Sequence, residues 1–174
     1  AEPAVVNPAV RTPLQEVISL RGEWTFAKDP NGIGRNEGWM HPGAVWPETR
    51  TIQVPGCWEA QGVGEPGISQ PWDMKDRAPY PLRHVYMGTA WYHRNATIPP
   101  TWKDKRVWLK IGGVRSQGWF WVNGKPVAHD YAYCGVYKYD ITDCIVPGQD
   151  VSIVACVRND VPSRKGMASW RHRA

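Results

Sequence analysis

Apolar and polar residues alternate along much of this chain with a period of two. Val107, Leu109 and Ile111 alternate with Trp108 and Lys110, the pattern of a half-buried strand. Gly112-Gly113 interrupts it. Trp119-Phe120-Trp121-Val122 then runs into Asn123-Gly124, and Lys125-Pro126-Val127 returns. Asn-Gly suits a type I′ turn, whose two central residues need φ > 0, so this stretch predicts a β-hairpin. Tyr137, Tyr139 and Ile141 alternate next, Pro147-Gly148 turns, and Val151, Ile153, Ala155 and Val157 alternate again. From Arg106 to Val157 the pattern predicts successive strands joined by tight turns.

Upstream the signal is patchier. Residues 1–18 hold several prolines and read as an extended lead. Leu20, Trp24 and Phe26 share one side of a first strand, with a bulge or turn near Gly22. Asp29-Pro30-Asn31-Gly32 is dense turn chemistry. Residues 32–50 read as irregular. Thr51 to Val54 is a short strand stopped by Pro55-Gly56. Residues 57–83 read as a long loop, which in a compact domain is usually functional or a contact surface. Gly62 to Gly67 spells G-x-G-x-x-G, but no helix can open at Pro66-Gly67, so the nucleotide reading fails. Gly88 to Arg94 resumes a strand, and Pro99-Pro100 ends the run that follows. The sum is an all-β chain of 174 residues, enough for one domain with a core.

Composition refines this picture. Eleven Trp and seven Tyr stand against two Phe, and Trp and Tyr pair an apolar face with a polar handle suited to partly wet surfaces. The net charge of +5 is dispersed, with no RNP motif, zinc-finger spacing or basic helix, so a nucleic-acid partner is not expected. Cys57, Cys134, Cys144 and Cys156 form no CxxC and are expected as buried free thiols. No apolar run approaches about 18 residues, so no membrane-spanning helix is expected. The first residues lack the basic and apolar regions of an intact signal peptide. They fit either a chain boundary or the end left by signal removal, which tilts the expected location toward the periplasm or outside the cell. No cofactor or metal motif is present. Glu59, Glu65, Asp73 and Asp76 are loop carboxylates, and nothing in their setting marks the positioned pair that glycoside hydrolysis needs.

Several short stretches resemble one family. Ser19-Leu20-Arg21-Gly22-Glu23-Trp24-Thr25-Phe26 is similar to the opening strand of the N-terminal domain of glycoside hydrolase family 2, the β-galactosidase, β-glucuronidase and β-mannosidase group. Val54-Pro55-Gly56-Cys57-Trp58-Glu59 resembles its V-P-G-x-W-E turn. Trp91-Tyr92-His93-Arg94 with Ile98-Pro99 resembles its Y-R-R…I-P strand. Arg106 to Val114, Trp121 to Lys125 and Tyr139 to Asp143 resemble its R-V-x-L-x-F-x-G-V strand, V-N-G-K hairpin and F-D-I-T-D turn. Six such motifs in the family's order, spanning residues 19–174, make the set specific.

The resemblance implies a galactose-binding-domain-like jelly-roll β-sandwich, non-catalytic, ahead of an immunoglobulin-like domain and a (β/α)8 barrel that carries both catalytic glutamates. It implies a glycoside as substrate of the full-length protein. The family continues after W-R with a further strand, so residues 19–174 are expected to be a domain cut before its last strand. The alternatives are a free-standing carbohydrate-binding module and a pure interaction domain. Two departures remove galactose specificity from what carries over: Ala168 stands where β-galactosidases have an acid, and Arg77-Ala78-Pro79-Tyr80-Pro81 lacks their Asn.

Two loops combine aromatic faces with planar hydrogen-bonding groups, the mixture a sugar ring needs. One holds Trp72, Asp73, Arg77 and Tyr80; the other holds Asn159, Asp160, Trp170 and Arg171. The resemblance sets both beside the barrel mouth, so they are expected at one end of the sandwich. On that reading Asn159 is a loop contact whose loss spares stability. The alternative makes Trp170 a core anchor and Arg171 a structural ion-pair partner.

Overall fold

A computed structural model describes residues 16–68, 81–131 and 135–160. Ten strands run through them: β1 (Gly22–Asp29), β2 (Arg50–Val54), β3 (Glu65–Ile68), β4 (Pro81–Val85), β5 (Thr89–Thr97), β6 (Trp108–Ile111), β7 (Gln117–Val122), β8 (Lys125–Tyr131), β9 (Tyr137–Asp140) and β10 (Asp150–Arg158). Short 3-10 turns link some of them, and no α-helix occurs among the described residues. Six strands form one antiparallel sheet in the order β2-β1-β5-β10-β7-β8. β6 pairs with β9, and β3 with β4, as separate ribbons. The architecture is a jelly-roll β-sandwich.

The predicted hairpin forms as expected. Asn123 and Gly124 take φ of 51° and 76° between β7 and β8. Asn123 does more than turn the chain: its amide Oδ1 accepts from Ser152 N at 2.9 Å, and its Nδ2 donates to the Cys144 carbonyl at 2.9 Å. The turn is thereby bolted to β10.

Alternation buries both faces of the large sheet. The inner face carries Trp24, Phe26, Ile52, Ala90, Val151 and Ile153, packed against Leu109 and Ile141 of the opposing layer. The outer face carries Ala27, Trp91, Trp121, Val154 and Cys156. Residues 32–50 make turns, as the sequence predicts, but they are not a detached loop. Trp39 and Trp46 fold back over Trp91, with ring centroids 5.7 and 6.0 Å away, while Trp121 stacks on Trp91 at 5.3 Å and 17°. Asp29 anchors this cover: its carboxylate accepts from Ile33 N (2.8 Å), Gly34 N (3.0 Å) and Trp91 Nε1 (2.9 Å).

Two expectations need correction. The long loop at 57–83 holds the β3–β4 ribbon at its edges. Pro66 and Gly67 argue against a strand in isolation, yet Pro is admissible in an edge ribbon. The glycines also serve close approach, since a Cβ on Gly64 would lie 2.2 Å from the Val85 carbonyl oxygen. The thiols differ too: Cys57, Cys144 and Cys156 are free, but Cys57 is exposed and only Cys156 is buried. Burial pushes the Cys156 thiol up to about 12 despite the nearby Arg35 guanidinium, so it is inert at neutral pH.

Asp140 closes the β9 turn. Its carboxylate accepts from Thr142 N and Oγ1 at 3.0 and 2.6 Å and from Arg106 Nε and Nη2 at 3.1 and 2.6 Å. The Thr142 hydrogen bonds, then Arg106, hold its carboxyl down to about 2 from an ordinary 3.8. A depressed folded pKa contributes stability that is present above the unfolded value and lost as pH falls through the folded one. Asp140→Asn should therefore flatten the acid limb of stability between about pH 4 and pH 2. Acid titrations that superimpose for the two proteins would show the contacts carry no folding energy.

Candidate functional site

The end of the sheet where β10 leaves and β5 begins gathers polar groups from distant parts of the chain. Asn159 follows β10 directly. Its backbone N donates to the Gly88 carbonyl at 3.1 Å, continuing the ladder by one residue. Its side chain makes three further bonds: Oδ1 accepts from Gly88 N (2.9 Å), and Nδ2 donates to the Tyr86 carbonyl (2.8 Å) and to Glu59 Oε1 (3.3 Å). Glu59 Oε2 in turn accepts from Cys57 Sγ at 2.8 Å. Trp58 beside them is buried and meets Tyr86 edge-to-face at 5.5 Å. Burial raises the Tyr86 phenol to about 12, and its hydroxyl donates to the Thr89 carbonyl at 2.6 Å.

The V-P-G-C-W-E turn is what brings Glu59 here. The following residues are pinned to β2: Gln61 Oε1 accepts from Gln53 N (2.7 Å), Gln61 Nε2 donates to the Gln53 carbonyl (3.0 Å), and Arg50 donates to the Gln61 and Gly62 carbonyls. Trp58 meets Phe26 at 6.1 Å and anchors the turn in the core. Arg94 performs the same service at the start of β1. Its Nη1 donates to the carbonyls of Leu20, Arg21 and Glu23 around the Gly22 bulge.

The Glu59 and Asn159 groups sit on the rim of an open groove of about 1810 Å³. Its apolar floor is the inner face of the sheet, including Tyr92, Phe120, Ala155 and Val157, with Leu109 opposite. The β6–β9 ribbon covers only part of that floor. The arrangement offers a carboxylate and a thiol at the edge of an apolar trough. Both amide hydrogens of Asn159 are engaged and its oxygen accepts one bond, so what it has left to offer a ligand is one lone pair. Asp160 is bound by the Arg158 guanidinium through both carboxylate oxygens.

Of the eight site residues expected from sequence, Asn159 and Asp160 fall within the described residues. Trp72, Asp73, Arg77, Tyr80, Trp170 and Arg171 lie outside them, and so does the expectation that the two loops share one end. Glu59 is the residue that sequence reasoning set aside. Its neighbours in the motif were legible, but its bond to Asn159 spans 100 residues. Asn159→Ala should cost stability, contrary to the expectation of a dispensable loop contact. It strands the Gly88 N–H and the Tyr86 carbonyl, a loss of about 1–3 kcal/mol. Urea unfolding checks this, and an unchanged midpoint would return Asn159 to the role of a spare ligand.

The sequence comparisons give the family, and the fold comparison matches the architecture. The description "Glycosyl hydrolases family 2, sugar binding domain" matches residues 17–167. A β-galactosidase of Priestia megaterium is 27% identical over 158 residues, covering 88% of this chain and 15% of that protein. A β-glucuronidase of Paenibacillus borealis is 28% identical over 148 residues, covering 85% and 22%. In fold, the chain matches a solved β-glucuronidase from Ruminococcus gnavus in complex with uronic deoxynojirimycin, with TM-score 0.67 and 24% identity over 87% of this chain and 23% of that one. The chain spans 15% to 22% of the length of these two curated relatives. With 151 of its residues inside the family match, this chain belongs to the sugar binding domain family of glycosyl hydrolases family 2.

Proposed function

We propose that this domain is a non-catalytic N-terminal part of a longer glycoside hydrolase, where it scaffolds and partly lines the active site of a downstream barrel. The observation that carries the reading is the family match over residues 17–167, joined to the small share of each relative that the chain spans. The chemistry at the sheet end is consistent with it. Glu59 is hydrogen-bonded to an amide and a thiol, whereas hydrolysis uses two carboxyl groups across a sugar.

The purified 174-residue chain is expected to leave aryl β-galactosides, β-glucuronides and β-mannosides intact, while the full-length gene product turns over at least one of them. Turnover by the isolated chain that tracks the purified protein would overturn the accessory role. The same reading has polypeptide beyond residue 174 cover the part of the groove that the described residues leave open. A strand added beside the β6–β9 ribbon would pair an edge that has no partner strand among the described residues and would bury apolar floor. A chain extended through that segment should melt at a higher temperature than the 174-residue chain.

A further inference from the structure

The outward face of the β6–β9 ribbon, on the margin of the groove, carries charge that no group among the described residues answers. Leu109 and Ile111 turn inward with Tyr137 and Tyr139, so Trp108, Lys110, Lys138 and Asp140 turn outward. The register sets Lys110 directly opposite Lys138, and both are exposed. Like charges in direct cross-strand register destabilise a sheet. Neither ammonium has an ion-pair partner among the described residues. Beside them Trp108 leaves 48% of its surface in solvent. The one acid on this face is already committed, because Asp140 opposite Trp108 is bound by Arg106 and Thr142. The Arg106 guanidinium also lies 5.1 Å from the Trp108 ring centroid. Arg106 and Asp140 cancel, which leaves two uncompensated positive charges next to a flat aromatic surface.

From this geometry we propose that the face is a second carbohydrate-binding surface, selective for anionic oligosaccharides that carry carboxylate or sulfate groups. The proposal rests on the family reading for its choice of a sugar as occupant. Trp108 supplies an apolar plane for the C–H face of a pyranose ring. Lys110, two residues along the strand and roughly 7 Å away, and Lys138 across from it would bind the acid group of the same or the next ring. The ligand would remove the repulsion that the ribbon otherwise carries. An acidic peptide could answer the two charges but would leave the exposed indole plane without a matching flat partner.

Calorimetric titration with oligogalacturonate, set against an uncharged galactose oligomer of the same length, tests the assignment. The oligouronate should bind at least about tenfold more tightly than the neutral oligomer, the equivalent of about 1.4 kcal/mol. Trp108→Ala and the pair Lys110→Gln with Lys138→Gln should each weaken it by a similar factor. All three positions are exposed, so a melting temperature no lower than the parent's, raised if anything where the lysine repulsion is removed, will show that the fold is intact. Three results would overturn the proposal: no oligouronate binding, loss of binding with the lysine changes but none with Trp108→Ala, or equal affinity for an oligoglutamate peptide. In the full-length enzyme the same variants should keep aryl-glycoside turnover while losing retention on a polyuronate matrix. Failure of the surface with turnover intact would leave the accessory role standing. Absence of turnover in the unmodified full-length protein would instead strike the accessory role itself.

Discussion

Asp29→Ala is expected to destabilise the domain by about 3–5 kcal/mol. Asp29 is 3% exposed, and its carboxylate is the acceptor for Ile33 N, Gly34 N and Trp91 Nε1. Removing it leaves three buried or part-buried donors without an acceptor, at about 1–3 kcal/mol each before local relaxation. The loss would spread beyond the side chain, because those bonds hold the segment that carries Trp39 onto the sheet. Asp29→Asn should cost less, since one oxygen still accepts. Urea unfolding of the three proteins decides the matter, and a loss below about 1 kcal/mol for Asp29→Ala would mean that water replaces the carboxylate.

Trp91→Ala should be comparably damaging. Trp91 is fully buried at the centre of the outer-face cluster, between the rings of Trp39, Trp46 and Trp121. Large-to-small replacement of a buried Trp costs about 3–5 kcal/mol. The chain's turn at Gly34 is shaped around this ring: a Cβ on Gly34 would fall 2.7 Å from Trp91 atoms. Because Trp91 and Asp29 share a hydrogen bond, the two losses should not add. Trp91→Phe combined with Asp29→Ala isolates that bond, and the coupling should fall in the range of about 0.5–3 kcal/mol for residues in contact. Additive losses would mean that the Asp29–Trp91 hydrogen bond contributes no coupling energy to the fold.

Several ties explain why the family-like motifs occur where they do. Asn123 bolts the β7–β8 turn to β10, Arg94 gathers the carbonyls around Gly22, Asp140 closes the β9 turn, and Asn159 joins β10 to the Tyr86–Gly88 segment. Each is a polar side chain satisfying backbone groups at the end of a strand, where no neighbouring strand can do so. The candidate site at the sheet end is therefore built from structural bonds first. Glu59 is placed there by the same bonds that hold the sandwich closed.

Outside β3 and β4, strand identity was readable from the chain because alternation and turn chemistry are local. The period of two in β6, β9 and β10, the Asn123-Gly124 hairpin and the Pro147-Gly148 turn each involve residues a few positions apart. The order of the strands was not readable. Only β7 and β8 pair across a tight turn in the central segment, while β6 reaches past both to β9, and β10 inserts between β5 and β7. Such pairings are chosen by the summed burial of two faces and by long-range bonds that leave no local mark. Composition likewise showed that many Trp residues must be accommodated. It did not show that Trp24 and Trp58 fill the inner core, that Trp39, Trp91 and Trp121 form a separate outer one, or that Trp108 stays in solvent. Face is assigned by which layer packs above a strand, and that is decided only when the layers meet.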